Sequence, residues 1–156
     1  MIDPSEIPGV EIAELVTHRD QRGFFREIAR TAQPLFAEGV AQFSHSLMYT
    51  GVIKAWHLHR KQIDWWYVAA GVVRLGLCDL RPDSPTYKAT ADVLLGDHQP
   101  ARLVKVPVGV AHGCRCLQGP ASLLYLQNNV YDPDDVEKLP LDHPDIHFDW
   151  SVKVHA

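Results

Sequence analysis

The sequence predicts an all-β fold, a sandwich or barrel carrying one short helix, and three observations predict it. Runs rich in β-branched and aromatic residues recur along the chain. Gly, Pro, Asp and Ser interrupt them at short intervals. Only one segment carries both a helix start and a helix stop signal. In chain order the strand-like runs are Val10 to Val16, Gly23 to Ile28, Ala41 to Tyr49, Val52 to Leu58 and Ile63 to Ala69. They continue with Gly71 to Leu80, Arg102 to Val106, His112 to Leu117 and Ser122 to Asn129. The helix is expected over Thr31 to Glu38, with Thr31 as N-cap and Gly39 as stop. From Asp132 the prolines Pro133, Pro140 and Pro144 stand among acidic residues and predict an irregular surface tail. One domain over 1–156 is expected: an N-terminal arm to about residue 30, a barrel over about 40–130 and a tail from about 132.

Composition narrows the function classes. A chain of 156 residues suffices for one domain with a sizeable core. Apolar residues make up 46% and charged ones 22%, the balance of a globular protein rather than a disordered one. The formal charge of −4 without a basic run argues against a nucleic-acid partner. No apolar stretch reaches the ~18 residues of a transmembrane helix, and no basic-then-apolar leader opens the chain. No membrane partner is expected, and a cytoplasmic location is the default. Cys78, Cys114 and Cys116 do not make an even disulfide framework, and Cys-x-Cys alone is too sparse for a thiolate zinc site. They are expected as reduced, packed thiols. Trp65 and Trp66 are adjacent, so one fills the core while the other meets solvent, a partner or a ligand.

The chemistry concentrates around four residues. His57 and His59 are separated by one residue and project from the same face of a strand. Asp64 follows on the next run and His112 on a distant one. Three imidazoles and a carboxylate make a set suited to a divalent transition metal such as Zn, Fe(II), Ni or Mn. The simpler alternative is a hydrogen-bonded ion pair between His57 and Asp64.

Two motifs, Gly51-x5-His57-x-His59-x4-Asp64-x6-Gly71 and Pro107-x-Gly109-x2-His112, resemble the paired signatures of the cupin superfamily. That resemblance implies a double-stranded β-helix, or jelly-roll barrel. Asp64 stands where a metal-binding cupin usually has Glu, and Ala101 and Cys116 replace the second motif's leading Gly and trailing Asn. A longer series resembles the dTDP-4-dehydrorhamnose 3,5-epimerase family, itself of cupin fold. It runs through Asp20-Gln-Arg22-Gly23-Phe-Phe25-Arg-Glu27, Gln42-Phe-Ser44-His45-Ser46, Gly51 to His57, and Asp79-Leu-Arg81-x-x-Ser84-Pro85-Thr86. It ends with Pro107-x-Gly109-x-Ala111-His112-Gly113 and Tyr131-Asp-Pro133.

This second resemblance implies an isomerase acting on a nucleotide-linked 4-keto-6-deoxyhexose without a cofactor. His57 takes the position of the base that removes a proton beside the keto group, a task that suits imidazole near pH 7. Tyr131 takes that of the proton donor on the opposite face of the ring. Arg22, Glu27, Gln42, Lys54 and His112 match residues that hold the nucleotide and sugar. The resemblance also implies a homodimer, with an N-terminal strand crossing to the partner and the Arg22 to Glu27 segment completing the neighbour's pocket. Lys54 stands where the family has Arg, and Ser44 where it has Asn. Asp64 aligns with a lysine that steadies the enolate oxygen, and a carboxylate there repels the charge that the reaction creates. The resembled family orients its histidine with an Asp near the C-terminus, for which Asp142, Asp145 and Asp149 are the candidates here. Asp64 also completes the metal set, so a metal-dependent cupin enzyme and a non-catalytic sugar-nucleotide binder stand beside the epimerase.

Overall fold

Alternation of apolar and polar residues, read at a period of two, gives each strand one face to bury. In the computed structural model, which describes residues 1–151, that pattern builds ten strands. They are β1 (Glu11–Glu14), β2 (Thr17–Asp20), β3 (Gly23–Arg26), β4 (Gln42–Met48) and β5 (Ile53–His59). The rest are β6 (Asp64–Asp79), β7 (Thr90–Gly96), β8 (Arg102–Val106), β9 (Val110–Gln127) and β10 (Val136–Lys138). Eight of them form one antiparallel sheet in the order β1-β8-β6-β9-β5-β10, with β7 added on β6 and β4 on β9; β2 and β3 make a separate hairpin. Among the described residues no helix is long and apolar enough to cross a membrane.

Strands β6 and β9 organise the molecule. Each is continuous where the sequence predicts two runs, and each passes from one set of neighbours to another along its length. β6 pairs with β8 at Asp64 to Trp66 and with β7 from Val72 to Cys78, while β9 pairs with β5 at one end and β4 at the other. Their mutual register slips between Val68 and Val73, the irregularity that bends a long strand from one sheet face to another. Gly71 sits at this bend with φ +76°, and a Cβ there would lie 2.6 Å from the carbonyl oxygen of Gln118, so glycine is required on both counts.

Val73, Leu75 and Leu77 of β6 point inward with Val93, Leu95, Val104, Val106, Cys114 and Leu123, and form the main core. The opposite face of β6 is covered by the tail. Trp56, Cys78, Ile146 and Trp150 pack together there, and Arg74, 1% exposed, donates to Asp92 Oδ2 and the carbonyl of Asp149, at 2.6 Å each. All three cysteines are free and buried.

Two local expectations need correction. The helix over Thr31 to Glu38 is a single 3-10 turn at Pro34–Phe36, preceded by extended backbone at Gln33 (φ −77°, ψ 149°). Pro34 supplies no N–H and disfavours helical geometry in the residue before it, so a helix begun at Thr31 cannot run through. The tail is not wholly irregular, since β10 joins the sheet beside β5. The two tryptophans part as their adjacency requires: Trp65 is fully buried under Phe36, with Nε1 donating to the Leu35 carbonyl at 3.0 Å, while Trp66 points to the opposite side.

Candidate active site

One cavity of about 250 Å3 opens between β5, β6, β9 and β10. His57 and His59 reach it from the same face of β5, and His112 of β9 lies directly opposite His57 in the ladder. Lys54 also lines it, although a spacing of three would put Lys54 and His57 on opposite faces of a regular strand; the register shifts between these two residues. Asp64 begins β6 and enters from the far wall, with Gln62, Trp66, Tyr125 and Gln127. Val136 and Lys138 of β10 close the side next to β5, and Tyr131 stands at the rim, 65% exposed.

The deepest part is a cluster of His59, Asp64 and His112, whose potential ligand atoms all lie within 4.8 Å of one another. His57 is outside this group, with its ring 6.3 Å from that of His112. The four-residue metal set expected from sequence is therefore three residues. Hydrogen bonding constrains their protons. A carbonyl only accepts, so the 3.1 Å contact of His112 Nδ1 with the Val110 carbonyl puts a proton on Nδ1. His112 Nε2 then faces Asp64 Oδ2 at 3.1 Å. Lone pairs on both atoms repel unless a second proton on His112, or a metal ion, lies between them. His59 Nε2 lies 3.4 Å from the Gln62 amide nitrogen and 3.7 Å from Asp64 Oδ2. Its Nδ1 is buried without a hydrogen bond, 3.6 Å from Asp135 Oδ2. Asp135 is fixed in turn by the backbone N–H groups of Arg60, Lys61 and Gln62, at 2.9–3.0 Å.

Electrostatics divide these groups by role. Burial, then repulsion from His112, His59 and Lys138, pulls His57 from 6.5 down to about 4, with Asp64 offsetting part of the shift. His57 is thus a neutral imidazole at pH 7. Burial also lowers His59. Burial alone would raise Asp64, but hydrogen bonds from His112 and Gln62 and the charges of the two imidazoles hold it below the usual carboxylate range. Burial and the Asp64 charge raise the Tyr125 phenol, which keeps it protonated and able to donate.

The remaining candidates divide between this cavity and elsewhere. The Lys54 ammonium bonds Ser46 Oγ at 2.7 Å. Gln42 does not line the cavity; its amide oxygen accepts from the Tyr131 N–H at 2.8 Å and its amide nitrogen donates to Gln127 at 2.9 Å, so it pins the Tyr131 loop. Arg22 pairs with Asp20, and Glu27 with Arg30, both away from the cavity of their own chain. None of Asp142, Asp145 or Asp149 lines the cavity either, and Asp145 is engaged by Lys88 at 2.7 Å. Sequence reasoning missed Tyr125, Asp135 and Lys138. The alternation Leu123, Tyr125, Gln127 on one face of β9 carries a signal for Tyr125. Nothing in the tail marks Asp135 or Lys138 until β10 is seen to pair with β5.

Comparisons with known proteins converge on one family. The sequence model described as dTDP-4-dehydrorhamnose 3,5-epimerase matches residues 4–156. The chain is similar to the spore coat polysaccharide biosynthesis protein SpsL of Bacillus subtilis, 40% identical over 150 residues, covering 94% of this chain and 98% of SpsL. Among solved structures, a dTDP sugar isomerase from Desulfovibrio desulfuricans superposes with a TM-score of 0.88 at 25% identity, covering 96% of this chain and 95% of its own. An epimerase from Legionella pneumophila, in complex with dTDP-4-keto-L-rhamnose, superposes at 0.83 with 27% identity, over 92% of this chain and 79% of its own.

Proposed function

This chain belongs to the dTDP-4-dehydrorhamnose 3,5-epimerase family, of cupin fold, and from that premise we propose how its cavity epimerises a nucleotide-linked 4-keto-6-deoxyhexose. His57 removes a proton from the carbon beside the keto group. The C–H electron pair forms a C=C bond as the carbonyl becomes an enolate oxygen. A phenol then returns a proton to the opposite face, the C=C pair closes the new C–H bond as the enolate oxygen re-forms the C=O bond, and the resulting imidazolium and phenolate reset by exchange with water. The observation that carries this reading is the neutral His57 imidazole sharing one cavity with a half-buried, protonated phenol. We assign that phenol to Tyr125, held in the wall of β9, with Tyr131 closing the mouth. A cavity of about 250 Å3 suits one sugar ring and leaves the nucleotide at the mouth beside Lys54.

Solvent exchange tests this directly. With dTDP-4-keto-L-rhamnose in D2O, deuterium should enter at sugar C3 or C5, and His57→Asn should slow entry by about 1,000-fold. Tyr125→Phe should block inversion, whereas Tyr131→Phe should mainly weaken binding. The reverse ranking would give the donor role to Tyr131, and no exchange by the native protein would sink the reading.

A homodimer accompanies this function. The hairpin of β2 and β3 exposes Phe24 and Phe25, at 55% and 69%, and β4 exposes Phe43 and Leu47. Docking the hairpin on a partner would bury these residues and deliver Arg22 and Glu27 to the neighbour's cavity. Light scattering should give twice the 17.5 kDa chain mass.

A second reading is favoured by the potential ligand atoms of His59, Asp64 and His112, which all lie within 4.8 Å of one another. These residues would hold a divalent transition metal as a two-imidazole, one-carboxylate set, with Asp135 behind His59 and the Val110 carbonyl behind His112. When bound, the ion supplies a Lewis acid that polarises a carbonyl. Elemental analysis of protein purified without added ions decides: stoichiometric metal that is lost in Asp64→Asn supports the site, and metal-free protein rejects it.

A further inference from the structure

Proton abstraction beside a ketone moves charge onto the carbonyl oxygen, and the carboxylate of Asp64 in the cavity wall opposes that charge. A cation must come from another element. Two lysines reach the cavity. Lys54 is held at the β4 side, its ammonium 2.7 Å from Ser46 Oγ and 3.5 Å from the Leu47 carbonyl, whereas Lys138 has no such bond among the described residues. Lys138 lies directly across the ladder from His57. Residues opposite each other on antiparallel strands share a face, so the base and the ammonium enter the cavity side by side. The neighbouring Glu137 turns to the other face and pairs with Arg60 at 3.2 Å, leaving the Lys138 charge intact in the cavity.

Resting on the epimerase reading, we propose that Lys138 is a catalytic residue whose ammonium stabilises the enolate oxygen formed when His57 removes the proton. A lysine suits this role because a compact point charge matches a single developing oxyanion. Lys138 is exposed in the free protein, and a sugar seated in the cavity displaces water between the ammonium and the oxyanion, which strengthens their attraction. During the reaction the ammonium keeps its protons and contributes a hydrogen bond and a charge. The proton moves only from carbon to His57, and its electron pair only toward the oxygen.

Exchange into dTDP-4-keto-L-rhamnose in D2O at saturating ligand tests the assignment in native protein, His57→Asn, Lys138→Met and Lys138→Arg, with dTDP affinity measured for each. Lys138→Met is expected to slow exchange by about 100-fold or more while dTDP affinity stays within about threefold, and Lys138→Arg to recover most of the rate. Lys138 is exposed at its surface end, so these variants should fold; Lys138→Gln provides a second neutral side chain should Met aggregate. Exchange by Lys138→Met within about threefold of native, or a defect confined to dTDP affinity, would overturn the assignment while a dead His57→Asn leaves the epimerase reading standing. Native protein without exchange would overturn both.

Discussion

The aspartates at the two ends of strand β6 invite comparison, because both are buried and both are held below the ordinary carboxylate range. Asp79, at the C-terminal end, is saturated. Its Oδ1 accepts from the Arg81 N–H and Nε, and its Oδ2 from Arg81 Nη2, Ser84 Oγ and Thr86 Oγ1, at 2.5–3.1 Å. Against the cost of burial, these bonds bring it down to about 2. Asp64, at the N-terminal end, accepts from the Gln62 amide at 2.8 Å and otherwise faces only the imidazoles of His112 and His59, at 3.1 and 3.7 Å. A carboxylate whose lone pairs are all used by fixed donors closes a turn and has nothing left to offer a ligand. One left partly unmatched beside a cavity can hold a proton, a metal ion or a substrate. The Asp79 to Thr86 motif is thus a structural clamp, although it belongs to the same family pattern as the site residues.

Isosteric amides should separate the two aspartates most sharply. Asp79→Asn turns an NH2 toward Arg81 groups that can only donate, whichever way the amide is placed, and is expected to cost about 3 kcal/mol or more, read as a lowered denaturation midpoint. Asp64→Asn keeps an acceptor for Gln62 and is expected to cost about 1 kcal/mol. Equal losses at the two ends would break the comparison.

The pH dependence should come in two separate steps. His57 is depressed from 6.5 to about 4. Across that window the unfolded chain binds a proton that the folded one does not, so stability falls as pH drops from 6.5 toward 4. Asp79 is depressed from 3.8 to about 2, and its contribution, complete above 3.8, is lost as pH falls through that lower window. Equilibrium unfolding against pH should show the upper slope flattened in His57→Asn and the lower slope flattened in Asp79→Asn.

The smallest effect is expected at the positions that support the cavity without entering its chemistry. Asp135→Asn keeps the bonds from the Arg60 and Lys61 N–H groups but turns its NH2 toward the Gln62 N–H and removes the charge behind His59, and should destabilise by about 1 kcal/mol. A loss as large as that of Asp79→Asn would mean that Asp135 is also a structural clamp.

What the chain determined by itself follows from short-range periodicity. A strand alternates faces, so His57 and His59 had to share one, Trp65 and Trp66 had to part, and the β-branched runs had to become strands. Pro34 reduced the expected helix to one turn, which ends at Phe36, before Gly39. Tertiary structure alone decided the rest, because it depends on which strands become neighbours. The register of β5 with β9 sets His112 against His57, and the bends in β6 and β9 turn single strands past two sets of partners. Pairing of β10 with β5 brings Lys138 to His57 from a segment that reads as irregular. Ladder register is fixed by hydrogen bonds and burial summed over many distant residues, and no local window of sequence contains both sides of it.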